Sequence, residues 1–160
     1  DPQGIVDFGS FTPPAKGGQF VEVNVSSGLL SIAAKLTEKQ EPEVADLLRG
    51  LKSVRVNVVD VDTANRDELV QRLQKVRGDL EARGWARVVK VQESTQDVAI
   101  FVKHRGDEAI EGVVITILED SKQAVFINVV GDIRPEKIAL IGERLGIEPL
   151  QRAGKLATKS

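Results

Sequence analysis

Alternating apolar and polar positions predict six β-strands along the chain. In the first two strands, valines at every second position alternate with polar residues such as Glu22, Asn24, Arg55 and Asn57, which is typical of half-buried strands. The last strand carries bulky side chains on both faces and is expected to be the most buried. The predicted strands span residues 20–25, 54–61, 87–92, 98–103, 112–118 and 124–130.

Apolar residues at helical spacing predict four helices between and after these strands. The first starts at Ser26 or Ser27, and the second starts at Pro42, where the missing N–H of proline costs nothing. Asn65 and Glu68 have the spacing of a capping box before the long third helix. The fourth helix is expected from Pro135, with Gly146 closing it, and carries Ile138, Ile141 and Leu145.

The element order βααβα-ββββ-α predicts an α+β fold with a mainly antiparallel sheet of about six strands. The last four strands are joined by hairpin-sized links, which favour an antiparallel meander. Because each helix has a single apolar stripe, we expect the helices to pack chiefly on one face of the sheet. Residues 20–150 form the single predicted domain, residues 1–19 a flexible tether rich in glycine and proline, and residues 151–160 a loose tail.

The composition excludes several classes of function but indicates none. The net charge of −2 and the single tryptophan, five phenylalanines and no tyrosine argue against a nucleic acid partner. The absence of cysteine excludes disulfides and thiol chemistry. There is also no methionine, even at position 1. A removed secretory signal is one explanation, and a trimmed chain is the other.

Three polar residues are the candidates for chemistry. His104, the only histidine, could be a general base, although its cationic neighbours Lys103 and Arg105 and a hairpin end favour a plain surface residue. Asp60 and Asp62 end a strand before a helix and could bind a hard cation, but a capping or turn role is more common for such residues. No catalytic group, metal or cofactor is expected.

The second face of the meander is the candidate interaction surface. If all helices lie on the other side, an apolar patch remains exposed. A folded-back tether, or helices on both faces, would instead cover this patch. The candidate residues are Phe101, Val114, Leu118 and Phe126.

The element order and the motif Asn128-Val129-Val130-Gly131-Asp132-Ile133 resemble a bacterial family known only as domain of unknown function 4252. The likeness covers residues 20–150. It implies an exported protein of Gram-negative bacteria that is often lipid-anchored through an N-terminal cysteine after the signal, and this chain has no cysteine. It implies no activity and no catalytic residues.

We therefore expect a non-enzymatic, exported module that binds a protein partner or forms a homodimer through a sheet face. Its expected location is periplasmic or at the outer membrane, with membrane contact only through a removed lipid anchor; a cytoplasmic location is the alternative. Two other functions stay open. One is a small-ligand carrier with a closed apolar cavity, and the other is a hydrolase-type enzyme that uses Asp60, Asp62 and His104.

Overall fold

The chain folds into one antiparallel sheet, with helices in two of the connections between its strands. A computed structural model describes residues 4–12, 14, 15, 17–107, 109–137, 140, 143 and 144. The strands are β1 (Phe20–Ser26), β2 (Leu51–Asp60), β3 (Ala86–Gln92), β4 (Gln96–Arg105), β5 (Ala109–Glu119) and β6 (Gln123–Ile133). The helices are α1 (Ser27–Thr37), α2 (Pro42–Gly50) and α3 (Arg66–Ala82), and a 3-10 turn follows at Pro135–Lys137. The predicted α+β fold and element order are confirmed for these residues.

The sheet order is β1-β2-β6-β5-β4-β3, with antiparallel pairing throughout. The predicted meander from β3 to β6 is therefore present, and β2 joins it at β6. Its tight turns use residues with positive φ, Gly106 at +66° and Ser121 at +63°. Glycine adopts this conformation without cost, whereas Ser121 accepts some strain.

Side chains that alternate along the central strands give the sheet two apolar faces. One, the isoleucine face, carries Ile100, Ile115 and Ile127, which are paired neighbours across β4, β5 and β6. The other, the phenylalanine face, carries Phe101 and Phe126. All five side chains are buried, so both faces need a cover.

The helices cover both faces, and the expectation that they pack chiefly on one face is wrong. α1 and α2 place Leu30 and Leu47 on the isoleucine face, where Leu140 also packs. α3 places its predicted stripe on the phenylalanine face, through Leu69, Leu73, Val76 and Leu80. The reason is topological: the chain must travel from β2 to the far edge strand β3, and α3 makes this crossing over the face that α1 and α2 leave open.

One arginine fixes α3 to the sheet. Arg77 donates from Nε to Thr116 Oγ1 at 3.0 Å, and its Nη2 lies 2.8 Å from Asp97 Oδ1. Thr116 is fully buried and the two charged side chains are only 16% and 24% exposed. An ion pair of this kind sets position more than stability, because each charge loses water when it is buried.

Residues 4–12, the N-terminal segment, are docked on the phenylalanine face, so the expectation of a flexible tether is wrong for them. Val6 and Phe8 are 6% and 5% exposed. Asn128, fully buried in β6, accepts from the Val6 N–H at 2.9 Å and donates to the Gly4 carbonyl at 2.9 Å. The side-chain amide thus pairs with the segment as a neighbouring strand would.

The glycine at position 4 is required by a close approach of two backbones. A Cβ on Gly4 would lie 2.3 Å from the Glu111 carbonyl oxygen, and one on Gly112 would lie 2.9 Å from the Gly4 Cα. Neither contact is sterically possible, so a larger residue at either position would lift the N-terminal segment off β5.

The end of the predicted fourth helix and the tail at 151–160 lie outside the described residues. Pro135 opens a 3-10 turn, and the described residues beyond it, Leu140, Glu143 and Arg144, are α-helical. Beyond it, Arg144 forms an ion pair with Glu41 beside the start of α2. Together with Leu140, this pair places the described part of the segment against the isoleucine face.

The central position of β6 makes Ile127 a direct test of the layout. Ile127 is 3% exposed and pairs with Val56 on β2 and Ile115 on β5. Replacing Ile127 with Ala should lower the free energy of unfolding by about 2–5 kcal/mol, because it empties a buried aliphatic site. Val88→Ala, at a side chain that is 51% exposed, is the control and should cost much less. Equal losses in denaturant melts would show that β6 is peripheral.

Candidate functional site

Asp60 and Asp62 lie at a corner that joins three parts of the chain. Asp60 accepts from the Gln19 N–H at 2.9 Å through Oδ2, and its own N–H donates to the Gln19 carbonyl. Asp62 accepts from Ala15 N–H through Oδ2, and from the N–H groups of residues 64 and 65 through Oδ1. Both carboxylates therefore hold the chain before β1 and the start of α3 in place.

The hydrogen bond from Ala15 is the main reason that the pKa of Asp62 lies below its ordinary value. The hydrogen bonds from the N–H groups of Asn65 and Ala64 also lower this pKa, whereas burial of the carboxylate raises it in part.

Asn65 itself does not form the predicted capping box. Its side chain turns back, accepts from the Asp62 N–H and donates to the Asp60 carbonyl. This geometry favours the turn role of the aspartates over a cation site. Among the described residues, no group of three or more acidic, histidine or cysteine residues is placed to hold a metal.

His104 lies at the opposite end of the sheet from the two aspartates. Strand pairing aligns Asp60 with Gln123, Glu119 and Gln96 in one row. His104 is eight residues further along β4, which corresponds to about 26 Å at ~3.3 Å per residue. Its side chain is exposed beside the β4–β5 turn. The three candidates for chemistry do not meet in one site.

The expected interaction face is buried, and the expectation that it is exposed is wrong. Phe101, Val114 and Phe126 are fully buried, and Leu118 is partly buried in the same cluster. α3 covers one part, and the N-terminal segment covers another through Phe8 and Phe11, whose rings lie 5.5 and 5.0 Å from that of Phe126. The two alternatives that the sequence left open, a folded-back N-terminal segment and helices on both faces, are thus both present.

The N-terminal segment also forms one wall of a groove. The groove has a volume of about 480 Å³ and lies between this segment and the phenylalanine-face side of β1 and β2. Its apolar wall is aromatic, with Phe8, Phe11 and Phe20. Its floor is polar and consists of two cross-strand pairs, Glu22 with Asn57 and Asn24 with Arg55. We call this the N-terminal groove.

Two side chains in the floor of the groove have low exposure and no hydrogen-bond partner among the described residues. Arg55 is half-buried, yet among the described residues it makes no ion pair and no side-chain hydrogen bond. Asn57 is only 8% exposed and lines the same groove. Neither side chain has a buried polar atom without a partner, so the polar atoms of both reach the solvent in the groove.

The two edges of the sheet differ in how they are protected. At one edge, β3 has a bulge between Arg87 and Val89 and also carries Lys90. Bulges and positive charges are the usual protection of a sheet edge against pairing. At the other edge, β1 pairs with β2 over seven residues without any register shift, and Glu22 is its only charged residue. The outer edge of β1 is therefore open to pairing.

An apolar border accompanies the β1 edge. Val21 and Val23 are 43% and 41% exposed on the isoleucine face. On α1, Leu29, Ile32 and Leu36 form a stripe that is 56–76% exposed. α1 contacts β1 and β2, whereas α2 contacts β6, so α1 is the helix nearer to this edge. Exposed apolar side chains that cluster in this way mark interaction surfaces.

No described helix is both long and apolar enough to cross a bilayer.

The polar floor of the groove could be predicted from the sequence pattern, but its aromatic wall could not. Glu22, Asn24, Arg55 and Asn57 are the polar halves of two alternating strands, which predicts that they share a face. That Phe8 and Phe11 would stand opposite them depends on contacts between residues far apart in sequence. The open edge of β1 was equally hidden, because strand order decides which strand lies at the edge.

The lowered pKa of Asp62 predicts a pH dependence of stability. An aspartate has a pKa of about 3.9 in the unfolded chain, and a carboxylate whose pKa is lower in the folded protein stabilises the fold at any pH above about 3.9. This contribution to stability is lost as the pH falls through the pKa of the folded state. In denaturant melts, Asp62→Asn should therefore be less stable than wild type at pH 7, and the gap should narrow below about pH 4. Asp46→Asn, which makes the same charge change on α2, gives the baseline. A gap that is constant with pH would contradict the role assigned to the Ala15 contact.

Comparison with known proteins identifies the family of the chain. No match was found among curated proteins or among solved structures. The model of one family matches residues 16–141, which include every strand and helix named above. The chain belongs to the family described as domain of unknown function DUF4252.

Proposed function

We propose that this chain is a non-enzymatic protein-binding module that self-associates by antiparallel pairing of β1 with β1 of a second copy. The contrast between the open β1 edge and the protected β3 edge carries the proposal. Selection against unwanted sheet pairing usually protects both edges. An edge that is left regular and almost uncharged is therefore the expected place for a strand partner.

The sequence of β1 is complementary to itself in antiparallel register. Pairing centred on Val23 aligns all seven residues from Phe20 to Ser26 with those of the second copy. It places Glu22 opposite Asn24, so that no like charges face each other. Asn24 already donates to the Glu22 carboxylate at 3.0 Å within the chain, which supports the chemical match of this pair.

The apolar border would enlarge the contact beyond a single pair of strands. A twofold axis perpendicular to the sheet keeps both α1 helices on the same face, one on each side of the joined β1 strands. Their exposed stripes and Val21 and Val23 would then lie along the new interface. This matters because two strands alone bury less surface than stable interfaces usually do.

One further observation supports a binding role rather than catalysis, and another supports a location outside the cytoplasm. The separation of Asp60 and Asp62 from His104 leaves the hydrolase alternative without a shared site. The sequence resemblance that implies export supports a location in the envelope of a Gram-negative cell, which we include in the proposal.

A lysine at the centre of β1 tests the proposal. At tens of micromolar, a range in which a moderate interface associates, sedimentation should show dimers of the wild-type chain. Val23→Lys should shift these to monomers, because an inward-pointing charge on an edge strand would have to be buried without a partner. The matched control is Val88→Lys, at a valine on the β3 edge that is 51% exposed against 41% for Val23, and it should leave the dimer intact.

A monomeric wild-type chain at that concentration would contradict self-association. Equal loss of the dimer in both lysine variants would place the interface elsewhere. Circular dichroism of each variant distinguishes dissociation from unfolding.

A further inference from the structure

The N-terminal groove has the dimensions and the mixed lining of a small-molecule site. Its volume of about 480 Å³ falls within the ~300–1,000 Å³ typical of ligand pockets. An aromatic wall opposite a polar floor suits a ligand with one apolar side and one polar end. The groove is open to solvent, so a ligand can enter without movement of the sheet.

The guanidinium of Arg55 provides the anchor for an anion. Arg55 lines the groove, is paired with Asn24 across the strands and is two residues from Asn57 on β2. Because no described residue pairs with this guanidinium, the carboxylate of a ligand could form a bidentate ion pair with it without displacing an existing partner. Asn57 can add a hydrogen bond from its amide group.

Two carboxylates at the groove argue against a simple anion. Glu22 is the cross-strand neighbour of Asn57 and lies diagonally across from Arg55, and Asp7 lines the opposite side. Each uses one oxygen in a local hydrogen bond, to Asn24 and to the Gly9 N–H respectively, and keeps the other oxygen. They would repel a plain organic acid but attract an ammonium group held close to its carboxylate.

We propose that the N-terminal groove binds a zwitterion with an apolar side chain, namely an apolar amino acid or a short peptide. Arg55 takes the carboxylate, Glu22 takes the ammonium group, and the side chain packs on Phe11 and Phe20. No covalent step is involved. The site shares Glu22 and Asn24 with the proposed pairing of β1, whereas Arg55 and Asn57 lie on β2, outside that interface.

A ligand series on the wild-type chain tests the assignment without relying on any variant. Calorimetry should show that L-phenylalanine binds, and that 3-phenylpropanoate and phenethylamine each bind roughly tenfold or more weakly, since each lacks one charge. Glycine, which lacks the apolar body, should bind weakly too. The dipeptide glycyl-phenylalanine separates the two sources: tighter binding than that of phenylalanine identifies peptides, and weaker binding identifies free amino acids.

Paired variants then locate the site. Arg55→Leu should weaken phenylalanine binding by roughly tenfold or more, while Arg87→Leu, the same change on β3, should leave it unchanged. Glu22→Gln should weaken phenylalanine but strengthen 3-phenylpropanoate. Equal binding of 3-phenylpropanoate and phenylalanine to wild type would overturn the zwitterion. No saturable binding at about 10 mM, the weak limit of specific recognition, would overturn the site itself.

Discussion

The central strands of this fold carry bulky apolar residues on both faces, and the rest of the structure follows from the need to cover them. Phe126 and Ile127 are adjacent in β6 and point to opposite faces, and both are excluded from water. Exposing either face would cost on the order of 25 cal/mol for each Å² of apolar surface. α1 and α2 cover one face, and the crossover helix α3 covers part of the other.

The part of the phenylalanine face that α3 leaves open is completed by chain that precedes the first strand. Asn128 makes this possible, because its buried amide would cost about 1–3 kcal/mol if left without partners. It is satisfied by Gly4, Val6 and the Val113 carbonyl. Arg72 of α3 holds the same segment from the other side, donating to the Phe8 carbonyl and stacking over Phe11. The N-terminal segment is thus a structural cover, and the groove beside it exists because the segment does not extend over β1.

Much of this fold could be predicted from the sequence, because local patterns determine it. The alternating strands, the stripe from Leu69 to Leu80 and the hairpin-sized links each depend on neighbours within a few residues. The positions of Phe8 and Phe11 could not be predicted in this way. Val6 meets Asn128 across 122 residues of sequence, and no periodic pattern encodes such a contact. Glycine and proline around the segment indicated flexibility, although Gly4 is needed for close packing. For the same reason, the paired aspartates were recognisable as turn residues, but the groove and the open edge were not.

The docked N-terminal segment completes the cover of the phenylalanine face, and native-state hydrogen exchange at Val6 can show whether it is part of the cooperative fold. The Val6 N–H donates to the Asn128 side chain and not to another strand. Its exchange rate therefore reports the docking of the N-terminal segment and not the pairing of strands. If the segment is part of the cooperative fold, the opening free energy of this amide should lie within about 1 kcal/mol of those of the β6 backbone amides. Exchange of Val6 near the unprotected rate, while β6 stays protected, would show a segment that is not part of the fold and would contradict the account.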